Sequence, residues 1–205
     1  MSNLIQIFAK NPIPGKVKTR VARDTSDRFA CELHKIMCEH IIEVAQSAAD
    51  AVEIWTTESD PPTEYFQQFG LPVLTQRGQD LGQRMQIALG HGLERHQKVA
   101  IVGADAYSLT SKDIKGSFKS LDNHSVALVP AMDGGYVLLA AKTWELAEFG
   151  PVEWGSDQAL EQTLGLFNAH GMDHCLLPPR WDIDTLGDIQ LYAPALLDLV
   201  RDRVK

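Results

Sequence analysis

The chain has 205 residues, 44% hydrophobic and 22% charged, with a formal net charge of −8. That length suits one domain spanning 1–205 with a sizeable core, and the composition excludes a disordered or fibrous protein. The acidity argues against nucleic acid as a partner, no apolar run approaches the ~20 residues of a membrane span, and no secretory leader opens the chain, so the expected location is cytoplasmic.

In chain order, Leu4–Ala9 reads as a buried opening strand, followed by a Pro/Gly-rich loop, Asn11–Lys16. Apolar residues spaced three and four apart from Phe29 to Ala48 predict a helix from about Ser26. A second strand is expected at Val52–Thr56, a break at Pro61–Pro62, a short helix near Glu64–Phe69 and a third strand at Val73–Thr75. Leu81, Met85, Ala88, Leu89 and Leu93 mark another amphipathic helix. Lys98–Val102 is a β-branched strand, and Val126–Val129 and Val137–Ala140 form two more around a Gly-Gly pair. Helices near Asp157–His170 and Leu186–Val200, the latter interrupted at Pro194, complete the set. Strand–helix alternation implies right-handed βαβ crossovers and a mostly parallel sheet, made mixed by the later antiparallel pair. Ligands of such sheets sit at the carboxyl ends of the strands. Lys10, Asp105 and Asp133 all follow strand ends and are expected to converge on one cleft.

Charge is uneven along the chain. Lys10, Lys16, Lys18, Arg20 and Arg23 precede the first acid, Asp24, so the first 23 residues carry +5 while the remainder carries −13. Such a cluster points to a local anion site. Gly15 lets backbone approach a phosphate, and the cations beside it suit a diphosphate. The loop is neither a Walker loop, since Gly15-Lys16 is followed by Val17, nor a GxGxxG turn.

Three free-standing cysteines, without a CxxC, argue against a disulfide framework. Cys31, His34 and Cys38 share a helix face and read as core rather than as a zinc site. Asp80 with Gln83 and Thr185 with Asp188 read as helix-capping pairs. Asp105, at a strand end beside a small-residue turn, suits a divalent cation bridging phosphates or reads equally as a turn residue or helix cap. Asp133-Gly134-Gly135-Tyr136 reads as a hairpin turn or as a place where the glycines make room for a ligand held by Asp133 or Tyr136. Asp182 and Asp184, taken as facing opposite sides of an extended segment, would offer one carboxylate to a site.

Taken in order, FAKxPxPGxVKTR at 8–20, GxD at 103–105, PAxDGGY at 130–136, Glu153-Trp154-Gly155-Ser156 and DxDT at 182–185 resemble the DUF2064 proteins. These are taken as glycosyltransferases of the Rossmann-like GT-A, nucleotide-diphospho-sugar transferase fold, some associated with arsenosugar pathways. The resemblance implies an α/β sheet with helices on both faces and a site that takes a nucleotide-sugar, or a nucleoside triphosphate, with a small-molecule acceptor. It implies Lys10, Gly15, Lys16, Lys18 and Arg20 at the diphosphate, Asp105 and Asp184 on Mg²⁺ or Mn²⁺, and Asp133 and Asp105 as catalytic residues. Gly134, Gly135, Tyr136 and Trp154 would meet the sugar or acceptor. Nucleotidyl transfer with release of pyrophosphate uses the same residues and is the alternative. Ala106-Tyr107-Ser108 and Met132 depart from the family pattern, which also admits a non-catalytic nucleotide- or sugar-phosphate-binding protein.

Overall fold

Alternation along the first strand sets the architecture. In β1 (Asn3–Ala9), Ile5, Ile7 and Ala9 point to one face of a sheet and Leu4 to the other, and all four are buried. Two-sided burial of this kind requires helices on both faces. A computed structural model describes residues 2–57, 64–144, 149–150 and 152–205. It contains α1 (Thr19–Asp24), α2 (Asp27–Gln46), β2 (Ala51–Thr57), a 3-10 turn (Tyr65–Phe69), β3 (Val73–Gln76), α3 (Leu81–Leu93), β4 (Lys98–Gly103) and α4 (Ser111–Ser120). β5 (Val126–Pro130), β6 (Tyr136–Ala141), α5 (Ala159–Ala169), β7 (His174–Leu176), α6 (Leu186–Tyr192) and α7 (Ala195–Val204) follow.

The seven strands form one sheet in the order β3-β2-β1-β4-β6-β5-β7, with only β6 antiparallel to its neighbours. The mostly parallel, mixed sheet is therefore as expected, down to the antiparallel pair around the glycines. On one face α2 and α4 pack Cys38, Ile41, Ile114 and Phe118 against Ile5, Ile7 and Val102. On the other, α3 and α5 bring Met85, Leu89 and Phe167 onto Leu4, Ile101 and Leu139. A third cluster joins α2 to the C-terminal helices through Val21, Met37, Ile189, Leu196 and Val200.

Local chemistry sets the helix ends. Ser26 caps α2 through the Phe29 N–H, and Asp80 caps α3 by accepting from the Gln83 N–H at 2.9 Å. Thr185 and Asp188 make a reciprocal capping box at α6. The last helical stretch divides into α6 and α7 at Pro194, as the proline requires. The core-facing reading of Cys31, His34 and Cys38 also holds, since all three are buried. The expected Pro61–Pro62 break lies outside the described residues. Among the described residues no helix is long and apolar enough to cross a membrane.

β1 lies between β2 and β4: the chain runs outward from β1 through β2 to β3, then crosses back to add β4 on the other side of β1. That reversal opens a crevice at the carboxyl edge. The Lys10 loop and the Asp105 turn flank it, fastened by an Ala104 N–H to Phe8 carbonyl bond of 3.0 Å.

Candidate active site

Two adjoining cavities occupy this crevice, and Phe8, Leu81, Asp105 and Asp184 line both. The first, about 410 Å³, is lined by Lys10, Lys18, Arg20 and Arg84, with Thr57 and Gln76 from the ends of β2 and β3. The second, about 310 Å³, is lined by Asp105, Asp133, Asp182 and Asp184, by Tyr136 and Trp154, and by apolar groups of β4 and β6. Lys10, Asp105 and Asp133 thus sit on one edge of the sheet, around one crevice.

Lys18 is the centre of the arrangement. Its side chain is only 5% exposed, and its ammonium lies 2.8 Å from Asp105 Oδ1 and 3.1 Å from Asp184 Oδ1, donating also to the Ile183 carbonyl. Its backbone is left-handed, with φ +46°, an uncommon conformation for a residue with a side chain. Burial alone would lower the ammonium pKa, but the two carboxylates outweigh it and hold the pKa above its ordinary value. Burial likewise works to raise Asp105, and Lys18 and His34 overrule it, keeping that carboxyl below the usual range. Arg20 reaches the second oxygen of Asp184 at 3.3 Å.

The loop is shaped from beneath. His34 donates from Nε2 to the Lys10 carbonyl at 2.9 Å, so the apparent metal-like trio on α2 supplies an anchor for the basic loop. Lys10 and Lys18 line the first cavity, whereas Gly15 and Lys16 sit on an exposed turn outside both linings. That turn is closed by a Lys16 N–H to Ile13 carbonyl bond of 3.0 Å.

The opposite wall is a chain segment threaded along the sheet edge. Arg180 N–H donates to the Pro130 carbonyl at 2.9 Å, and Ile183 N–H to the Asp105 carbonyl at 3.3 Å. Ser108 Oγ donates to the Trp181 carbonyl, and Tyr107 packs its ring between His40 and Trp181. The residues that depart from the family pattern after Asp105 therefore fasten the segment that carries Asp184. Arg180 forms a two-pronged ion pair with Asp113, with one bond of 2.9 Å.

The expectation that one of Asp182 and Asp184 would face the site is corrected. Residues two apart in extended chain share a face; Ile183 between them is fully buried, and both carboxylates line the second cavity. Asp182 shows the consequence of crowding: burial, then Asp133 and Asp184, push its pKa up to about 6.

Asp133 Oδ1 accepts the Gly135 N–H at 3.0 Å, closing its own turn while the residue lines the second cavity. Gly135, Tyr136 and Trp154 line it too, whereas Gly134 does not. At φ +94°, Gly134 packs on the 157 backbone, where a Cβ would fall 2.0 Å from the Asp157 carbonyl oxygen. Tyr136 and Trp154 meet edge to face, with ring centroids 6.4 Å apart. Gly82 lets α3 press against this wall, since a Cβ there would lie 2.8 Å from the Trp154 ring.

Among the Asp, Lys and Arg side chains that line the two cavities, Arg84 and Asp182 lie outside the expected site residues. Arg84 Nε donates to the Gly78 carbonyl at 3.1 Å. The signal for it was the position of Arg84 one turn into a helix whose start, Asp80, was legible. Among the described residues no group of three or more His, Cys, Asp or Glu side chains forms a metal-binding set.

The fold is that of nucleotide-diphospho-sugar and nucleotidyl transferases. It is similar to a candidate nucleotide-diphospho-sugar transferase of Desulfovibrio desulfuricans, with a TM-score of 0.88, 24% identity and 98% of each chain covered. A nucleotidyl transferase of Methanothermobacter superposes with a TM-score of 0.65 at 12% identity, covering 97% of this chain and 99% of that one. Rv0371c of Mycobacterium tuberculosis, crystallised with manganese, follows at 0.56 and 13%, covering 95% and 100%. Comparison with curated proteins finds no match. Residues 40–156, more than half of the chain, match the family described as uncharacterized protein conserved in bacteria (DUF2064). The chain belongs to that family.

Proposed function

We propose that the protein is a nucleotide-sugar-dependent glycosyltransferase that holds the donor diphosphate between its basic loop and a divalent cation. The observation that carries this reading is the joining of two unlike cavities, one cationic and one acidic and aromatic, through Asp105 and Asp184. A nucleotide-sugar has the same division, a polyanionic half and a polar but uncharged half.

Asp105 and Asp184 fit a hard cation such as Mg²⁺ or Mn²⁺. Both offer oxygen donors, and their carboxylates already converge on one positive centre, the Lys18 ammonium. With two protein carboxylates, phosphate oxygens and water would complete the shell. Bound there, the cation would supply charge neutralisation for the departing diphosphate. Lys10, Lys18, Arg20 and Arg84 surround the phosphates and share that charge. Asp133, its carboxylate oriented by the Gly135 N–H, takes the proton of the attacking hydroxyl. Tyr136 and Trp154 supply flat apolar faces for a sugar ring.

The test is a thermal-shift screen of nucleotides and nucleotide-sugars, with and without Mg²⁺ or Mn²⁺, followed by product analysis. The expected result is a metal-dependent shift and release of a nucleoside diphosphate from a sugar donor. Lys10→Ala and Arg84→Ala should each weaken nucleotide binding roughly tenfold, the scale of one charge-assisted hydrogen bond. Release of pyrophosphate from a triphosphate would assign nucleotidyl transfer instead. Binding without metal-stimulated donor hydrolysis would assign a non-catalytic binder, and no response to any nucleotide would overturn the reading.

A further inference from the structure

The second cavity has a charge pattern that selects its occupant. Its lining carries four carboxylates, Asp105, Asp133, Asp182 and Asp184, and no Lys, Arg or His is among the described residues that line it. The nearest cations are already engaged: Lys18 is held between Asp105 and Asp184, and Arg20 reaches Asp184. The rest of the lining is largely apolar, including Ile101, Leu139 and Met85, together with the Tyr136–Trp154 pair. Burial raises the Tyr136 pKa, so its hydroxyl remains neutral and offers no charge of its own.

We infer that whatever this cavity takes beyond the diphosphate, the donor's sugar or the acceptor, is neutral or cationic, presents an apolar face to Tyr136 and Trp154, and carries no free phosphate or carboxylate. The inference rests on the proposed function for placing that group beyond the diphosphate. A cation between Asp105 and Asp184 would neutralise those two acids, but Asp133 and Asp182 would still bring negative charge to the lining. An anionic group there would meet like charge without a partner, which disfavours it. A neutral ring gains hydrogen bonds to the carboxylates and stacking on the aromatics, and an amine gains an ion pair and a cation–π contact as well. Unphosphorylated sugars and hydroxyl- or amine-bearing acceptors fit this description; sugar phosphates and uronic acids do not.

The experiment uses three probes with one aromatic body and different charge: tryptamine, tryptophol and indole-3-acetate. Each is titrated at pH 7 into the nucleotide-free protein by saturation-transfer NMR and calorimetry. Tryptamine and tryptophol are expected to bind at least tenfold more tightly than indole-3-acetate. Trp154→Ala should weaken all three, and Asp133→Asn with Asp182→Asn should shrink the gap without abolishing the neutral probe. Equal binding of the anion, no binding of any probe, or a gap unchanged in the double variant would each overturn the inference. A thermal shift with UDP, GDP, ADP and CDP is recorded in parallel. A nucleotide response without charge discrimination sinks this inference and leaves the proposed function. Discrimination without any nucleotide response sinks the proposed function and leaves the preference of the cavity.

Discussion

Replacing Lys18 by methionine separates the charge of this residue from its bulk. In the nucleotide-free protein the Lys18 ammonium satisfies Asp105 Oδ1 at 2.8 Å and Asp184 Oδ1 at 3.1 Å, on the two carboxylates that would hold a divalent cation. Metal and lysine therefore compete, and an incoming cation must displace two charge-assisted hydrogen bonds. At about 1.5 kcal/mol net for each, that is roughly 3 kcal/mol. The two carboxylates are 47% and 44% exposed, and solvent screening discounts the figure by about half. About 1.4 kcal/mol remains, a tenfold change in affinity. Lys18→Met should thus bind Mn²⁺ about tenfold more tightly than wild type when no nucleotide is present, while its affinity for a nucleoside diphosphate falls. Lys18→Arg should keep metal affinity near the wild-type value. Calorimetric titration with Mn²⁺ at low salt, checked by electron paramagnetic resonance of the free ion, measures this directly. A methionine variant that folds normally and binds Mn²⁺ no better than wild type would refute the competition.

Two further outcomes concern stability. Gly134→Ala would drive a Cβ to 2.0 Å from the Asp157 carbonyl oxygen at φ +94°, so a loss of about 2–4 kcal/mol is expected in denaturant unfolding. Glu39, on α2, accepts two bonds from Arg203 on α7, at 2.9 and 2.6 Å. Burial would raise the Glu39 pKa, but Arg203 outweighs it and holds the carboxyl low. Its contribution is therefore present above the ordinary carboxylate pKa of about 4.3 and is lost as pH falls through the lower folded value. With both partners partly exposed, Arg203→Met should cost about 0.5–1 kcal/mol at pH 7 and nearly nothing at pH 2. A penalty that does not depend on pH would point to lost packing instead.

What could be read from the sequence follows from how strongly each segment declares itself. β1, β4 and α2 carry long apolar patterns, and their positions were legible within one or two residues. α4 was not. Ser111–Ser120 buries only Ile114 and Phe118 among its apolar groups, one turn apart with a glycine between them, so it has almost no stripe. Its one clear signal was the Thr110–Asp113 capping box. α1, with six residues, and β7, with three, are too short for any periodicity and exist through tertiary contacts.

At the site, strand ends located Lys10, Asp105 and Asp133 because topology alone sets that edge. Arg84 could not be found that way, since its place in the crevice depends on how closely α3 approaches the Trp154 wall. The turning of Lys18 inward depends on a left-handed residue that no propensity foretells. Residues two apart in extended chain share a face, which places Asp182 beside Asp184. The role of Ser108 and Tyr107 in holding the Trp181–Asp184 segment needed the folded chain, because their partners lie some seventy residues away.

The most direct test of the central claim is the coupling between a divalent cation and a nucleoside diphosphate. Mn²⁺ affinity is measured by calorimetry with and without saturating nucleoside diphosphate, in wild type, Asp105→Asn and Asp184→Asn. Weak Mn²⁺ binding to the free protein is expected, strengthening at least tenfold with nucleotide, with loss of most of that coupling in each variant. Equal Mn²⁺ affinity with and without nucleotide in wild type, or full coupling retained in both variants, would contradict the claim.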